Sequence, residues 1–121
     1  MSAPTAIVEI DGDAIRSIDD FHDVFAAAFG FPDFYGRNEN AWIDCMGDLD
    51  NPSTGMTKVF VDPGKCLTLQ IKNAKAMKRD VPNIWDLLTD YAAFVNWSRI
   101  ELGQEAVLAL SYHEQDRGEM T

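Results

Sequence analysis

The sequence predicts an α/β fold, a small parallel sheet of about three strands packed with helices. Three observations point there. Short apolar runs stand at 6–10, 67–71 and 106–110. The long stretches between them carry helical spacing of apolar residues. Connections of that length are what right-handed crossovers between parallel strands require. At 121 residues the chain fits one core and not two. Residues 1–113 therefore read as a single domain and 114–121 as a polar tail.

Along the chain, Ala6–Ile10 reads as a first strand closed by the Asp11-Gly12 turn signal. Ser17 stands as an N-cap with Asp20 three positions on, a capping-box arrangement. Ile18, Phe21, Phe25, Ala28 and Phe29 follow at helical spacing, and Gly30 supplies the stop. Residues 31–36 (FPDFYG) form an aromatic-rich loop, in which Pro32 pulls Phe31 out of helical geometry and Gly36 permits a tight turn. Asn38 is an N-cap for a second helix running to about Gly47. Residues 51–64 read as a loop, with Thr57–Val61 a candidate edge strand. Leu67–Ile71 is the next strand, and Lys72–Asp80 a short basic helix or loop. Pro82 opens a third long helix with Ile84, Leu88, Tyr91, Ala92 and Val95 as its apolar stripe. Ala106–Leu110 is an uninterrupted apolar run, as a strand covered on both faces requires. Everything after His113 reads as a frayed end.

Composition narrows the function. Hydrophobic content of 46% supports a globular core, and no apolar run reaches the ~18 residues of a membrane span. Residues 1–5 lack the basic-then-apolar pattern of a secretory signal, so cytoplasmic residence is the expectation. Cys45 and Cys66 are too few for a disulfide framework and lack metal spacing; both read as buried free thiols, the alternative being a bridge between them in an oxidising setting. Twenty acids against ten bases give a net charge of -10, which argues against binding nucleic acid directly. The charge is lopsided: residues 1–50 hold eleven acids and only two bases, Arg16 and Arg37. An acidic face that steers a positively charged partner is the sharper reading of that asymmetry; a solvated surface is the plain one.

The second helix carries the argument. At about 100° per residue, Ala41, Trp42, Cys45, Met46 and Leu49 fall on one half, the core side. Asn40, Ile43, Asp44 and Gly47 fall together on the other, with Asp48 at the flank. An apolar residue beside a carboxylate, next to a glycine that clears space, makes a contact patch. Asp44, Asp48 and Asp50 crowd the C-terminal half, where the helix dipole disfavours them by ~0.3–1 kcal/mol each. Local rules broken in this way are often the mark of a functional site.

These residues resemble the barstar family of ribonuclease inhibitors. Residues 15–18 (IRSI) followed by Asp20-Phe21-His22 are similar to that family's first-helix opening. Residues 32–38 (PDFYGRN) resemble its P-x-Y-Y-G-x-N loop, and residues 40–46 (NAWIDCM) its D-A-x-W-D-C-L helix. From residue 66 onward the likeness is looser, with Asp90 resembling an acidic binding position. The resemblance implies a small parallel sheet with packed helices, no catalysis, and no cofactor or metal. It implies a basic ribonuclease or nuclease toxin as partner, its active site filled by the second helix and the loop before it. Asp44 would then enter the phosphate-binding pocket, with Phe34, Gly36, Asn38, Asn40, Ile43, Gly47, Asp48 and Leu49 as neighbouring contacts and Asp90 as a further one. The target would be a secreted ribonuclease of the same cell, or a neighbour's toxin against which this is the immunity protein. Asn40 stands where the family commonly has aspartate, Phe34 where it has tyrosine, and Ile43 where it has tryptophan. The stretch 51–65 also exceeds that of compact members.

Two other readings compete. Asp44 with Asp48 as paired carboxylates would suit a glycosidase-like or metal-assisted hydrolase. No Ser/His/Asp, Cys/His or zinc pattern and no phosphate-cradling glycine loop accompanies them. A scaffold that kept the fold and now binds another basic protein or a regulator is the third, favoured by Asn40 and Ile43. His22 reads as a structural residue, His113 as one without an obvious partner, and the cluster Lys72, Lys75, Lys78, Arg79 as a solvated helix face. Trp42 and Trp85 read as core, Trp97 as either core or surface, and Asp86 as solvated.

Overall fold

Ser17 and Gly30 bracket the first helix as their chemistry dictates. The Ser17 hydroxyl accepts the Asp20 N–H at 3.1 Å, and Gly30 takes the left-handed conformation (φ 66°) that ends the helix. The computed structural model describes residues 3–114. Its strands are β1 (Ile7–Asp11), β2 (Leu67–Lys72) and β3 (Leu108–Tyr112), and its helices are α1 (Ile18–Phe29), α2 (Glu39–Gly47), α3 (Ala74–Asp80) and α4 (Pro82–Glu101). Single 3₁₀ turns follow β1 (Gly12–Ala14) and precede β2 (Pro52–Thr54).

The strands form one parallel sheet in the order β1-β2-β3, with Ile10 beside Ile71 and Leu69 beside Leu110. β2 is central, and its alternate residues Leu67, Leu69 and Ile71 are fully buried. A Cβ on Gly12 would lie 2.7 Å from the Lys72 carbonyl oxygen, so only glycine admits this close approach between the turn after β1 and the end of β2. Facing the sheet is an aromatic core: Phe21 and Phe25 from α1 pack on Trp42 of α2, Phe29 stacks on Phe25, and Tyr91 of α4 closes the group. Trp42 Nε1 has no hydrogen-bond partner, so ring packing alone holds this side chain.

Several expectations need correction. β3 is not covered on both faces: Ala109 lies in one row with Thr68 and the exposed Ile7, on the face of the sheet turned away from the core, and Tyr112 is exposed at the strand's end. Thr57–Val61 forms no strand. Its backbone is instead tied by isolated bonds, Lys58 N–H to Phe29 O at 2.8 Å and Val61 N–H to Leu49 O at 2.9 Å. Cys66 is exposed, since it stands one residue before the pairing of β2 begins. Trp85 is half-buried against Tyr112 and lies outside the core proper, and Ile18 opens α1 on its exposed side. The chain does not fray directly after His113: the Glu114 carboxylate accepts the Lys75 N–H at 2.7 Å. The rest of the expected tail, 115–121, lies outside the described residues.

Candidate protein-binding face

The loop between α1 and α2 is anchored at both ends, which fixes how α2 is presented. Tyr35 packs on Phe31, and its hydroxyl meets His22 Nδ1 at 2.6 Å. Burial, then the nearby Arg37 charge, holds His22 below its ordinary pKa, while burial pushes Tyr35 up. Two residues on, Arg37 adopts a positive φ of 54°, an uncommon conformation for a residue with a Cβ. Its guanidinium holds that turn in place by donating to Asp23 at 2.8 Å and to the Asp19 carbonyl at 3.2 Å. Directly before Tyr35, Phe34 points away from the fold, 76% exposed.

Asn38 then starts α2, its Oδ1 accepting the Ala41 N–H at 2.9 Å. The helix divides as its spacing dictates. Trp42, Cys45 and Met46 are buried; Asn40 and Asp44 are exposed; Ile43, Gly47 and Asp48 are half-buried along the border with α4. Asn40, Ile43, Asp44 and Gly47 thus share one side, with Phe34, Gly36 and Asn38 in the loop leading to it. Leu49 is a correction: it is fully buried, so its side chain supports α2 from below and offers nothing to a partner.

Two grooves separate α2 from α4. One, about 200 Å³, is bordered by Ile43, Asp44, Gly47 and Asp48 on α2 and by Ser98 on α4, with Leu102 just beyond that helix's end. The other, about 430 Å³, is bordered by Glu39 on α2 and by Asp86, Asp90 and Phe94 on α4. Asp90 therefore flanks the N-terminal end of α2 and is not part of the Asp44 groove.

The residue that the sequence did not disclose is Arg99. Only 8% exposed, it donates to the Gly47 carbonyl at 2.7 Å, to the Glu105 carbonyl at 2.7 Å and to the Asp50 carboxylate through two nitrogens. It supplies the cation that the C-terminus of α2 lacks in its own sequence. Asp50 accordingly is not an uncompensated acid within the helix; it lies past the C-cap, Asp48, and is paired. A lone base near the end of an acidic helix was the available signal, but its partner lies 49 positions away.

This arrangement is suited to contact rather than to chemistry. Burial, with Asp44 and Asp48 adding to it, pushes the Cys45 thiol up to about 11, so it is neutral and no nucleophile. Among the described residues no three His, Cys, Asp or Glu side chains are grouped to hold a metal ion. The family profile described as Barstar (barnase inhibitor) matches residues 5–100. The chain belongs to the barstar family. Barstar-family proteins are inhibitors and not enzymes, and the three-stranded parallel sheet with packed helices is the barstar fold. A Bacillus subtilis (strain 168) protein named "Putative ribonuclease inhibitor YrdF" is 42% identical over 52 residues. That stretch is 42% of this chain and 57% of the relative, little more than half its length.

Proposed function

We propose that this barstar-family protein inhibits a basic ribonuclease in the cytoplasm, seating α2 and the loop before it in the enzyme's active site with Asp44 in the phosphate-binding pocket. One observation carries the reading. Asp44 is exposed on a helix anchored at both ends, and it makes no ion pair among the described residues. A ribonuclease site is built to hold phosphate, so a preorganised carboxylate on a rigid helix mimics the substrate's charge with little ordering cost. Asn40, Ile43 and Gly47 surround it with a small, mostly uncharged patch that can follow it into a cleft.

The test is inhibition of a basic ribonuclease by wild type and by Asp44→Ala. The substitution is expected to weaken inhibition by ~2 kcal/mol or more, about 30-fold, a range for desolvated charges to which barstar complexes themselves contribute. The thermal midpoint should be unchanged. Equal inhibition by the two proteins sinks the reading. A second reading, a barstar scaffold that binds a different basic protein, draws on Asn40 and Ile43, which replace residues common in the family. It gains if nuclease activity is untouched while another basic protein is bound through Asp44.

A further inference from the structure

The outward side of α4 carries an apolar surface that the α2 reading does not use. Half of the eight large apolar side chains exposed among the described residues fall within 94–102: Phe94 (52%), Trp97 (58%), Ile100 (50%) and Leu102 (78%). Helical spacing turns Leu88, Ala92, Val95 and Arg99 inward, and it therefore leaves Phe94 and Trp97 outside, on the side of Asp90 and Glu101. Scattered exposed apolar residues are ordinary; Phe94, Trp97 and Ile100 instead follow one another at i, i+3 along α4, and such a row marks a contact surface, with Leu102 just past the helix end.

Charge decides what fits there. The only base on α2 or α4 is Arg99, which is buried and committed to Asp50, Gly47 and Glu105. Asp86, Asp90 and Glu101 on α4, and Glu39 and Asp44 on α2, are exposed. A second copy meeting this face through a two-fold axis would set those acids against their own equivalents, an unfavourable pairing. A basic protein meets the opposite situation. Arginine and lysine side chains can lie across Phe94 and Trp97 while pairing with the flanking carboxylates. The face is also continuous with α2 at both ends, since Phe94 borders the groove with Glu39 and Leu102 borders the groove with Asp44.

We infer that Phe94, Trp97 and Leu102 form a second contact surface for the same basic ribonuclease, taking cationic and apolar side chains from the rim of its active site while α2 occupies the centre. This rests on the inhibitor reading above. The probe is a catalytically inactive variant of barnase, the enzyme named in the family's description, titrated against wild type, Asp44→Ala and the double variant Phe94→Ser/Trp97→Ser. The double variant should bind about 10- to 100-fold more weakly, chiefly through faster dissociation, with its melting curve preserved because both side chains are more than half exposed. Trp97→Lys, which adds a cation to the face, should weaken binding as well and slow association.

If the double variant and Trp97→Lys bind like wild type while Asp44→Ala fails, the α4 surface is overturned and the inhibitor reading stands. Loss of binding in the double variant alone supports the α4 surface and overturns the role given to Asp44. A wild type that does not bind the probe overturns both. A wild-type dimer that the double variant dissolves, seen by sedimentation, makes a second copy the occupant and overturns the choice of partner.

Discussion

Around α1 and α3, Asp19, Asp23 and Asp80 are answered by cations of the same chain. Arg37 reaches Asp23 at 2.8 Å and Asp19 at 3.5 Å, and Asp80 is shared by Arg79 at 2.7 Å and Arg16 at 3.4 Å. Across α2 and α4, Glu39, Asp44, Asp48, Asp86 and Asp90 make no ion pair among the described residues. Stability does not account for the difference, because exposed pairs of this kind contribute only ~0–1 kcal/mol each. What differs is the field each region projects. Neutralised acids attract little, whereas a cluster of bare ones draws in a positively charged protein from about a Debye length away. Arg16 and Arg37 are the two bases of residues 1–50, and both are engaged around α1 and α3. None is left for α2.

The largest test of this contrast removes the one cation that serves the bare face from beneath. Arg99→Ala leaves the half-buried Asp50 carboxylate without its partner and the Gly47 carbonyl of α2 uncapped. It should cost about 3–5 kcal/mol of stability in urea unfolding, and a loss below 1 kcal/mol would refute the structural role. The next test compares two acids. Asp44→Asn should leave stability unchanged or slightly higher, since it removes a charge near a helix C-terminus, while weakening ribonuclease binding. Asp80→Asn should do the reverse. The hydrogen bond from Arg79, then those charges and Arg16, hold the Asp80 carboxyl below its ordinary value of 3.8. Its contribution is therefore present above about pH 3.8 and is lost as the pH falls through the lower folded value. The melting curves of Asp80→Asn and wild type should converge only in acid.

A subtler test uses His22, which senses the paired region. Its folded pKa lies below 6.5, so the unfolded chain takes up its proton first, and stability should decline as the pH falls from about 7 towards 5. Arg37 helps depress that pKa, and Asp19 and Asp23 oppose it. Arg37→Gln should move the imidazole titration, followed by NMR, to higher pH and flatten the decline. The smallest effect is expected from Asn40→Asp, which restores a carboxylate to the first turn of α2. It should add about 0.3–1 kcal/mol of stability at low salt and speed association with a basic enzyme. Slower association would show that more charge on this face does not help.

Much of this was legible where the cause is local. Ser17, Gly30 and Asn38 announce helix ends because caps act within three or four residues. The two faces of α2 follow from spacing alone, and so did the grouping of Asn40, Ile43, Asp44 and Gly47. What failed depended on distant partners. The exposure of Ala109 on β3 is decided by which face of the sheet the helices cover, not by the strand's apolar run. Cys66 is exposed because the pairing of β2 with β3 begins just after it, at Leu67.

Gly47 ends α2 in helical geometry, and a methyl group built there would find no heavy atom within 4 Å. Alanine at this position would favour the helix by about 0.5–1 kcal/mol without a clash, so nothing inside the fold asks for glycine. The vacant volume beside Ile43 and Asp44 opens outward, where it can admit one side chain of a visiting protein. A single methyl at position 47 would narrow that space and disfavour enzymes that bring a bulky group to it. One carbon atom there could thus separate cognate from non-cognate ribonucleases, making position 47 a handle for engineering mutually blind inhibitor–enzyme pairs on a common scaffold.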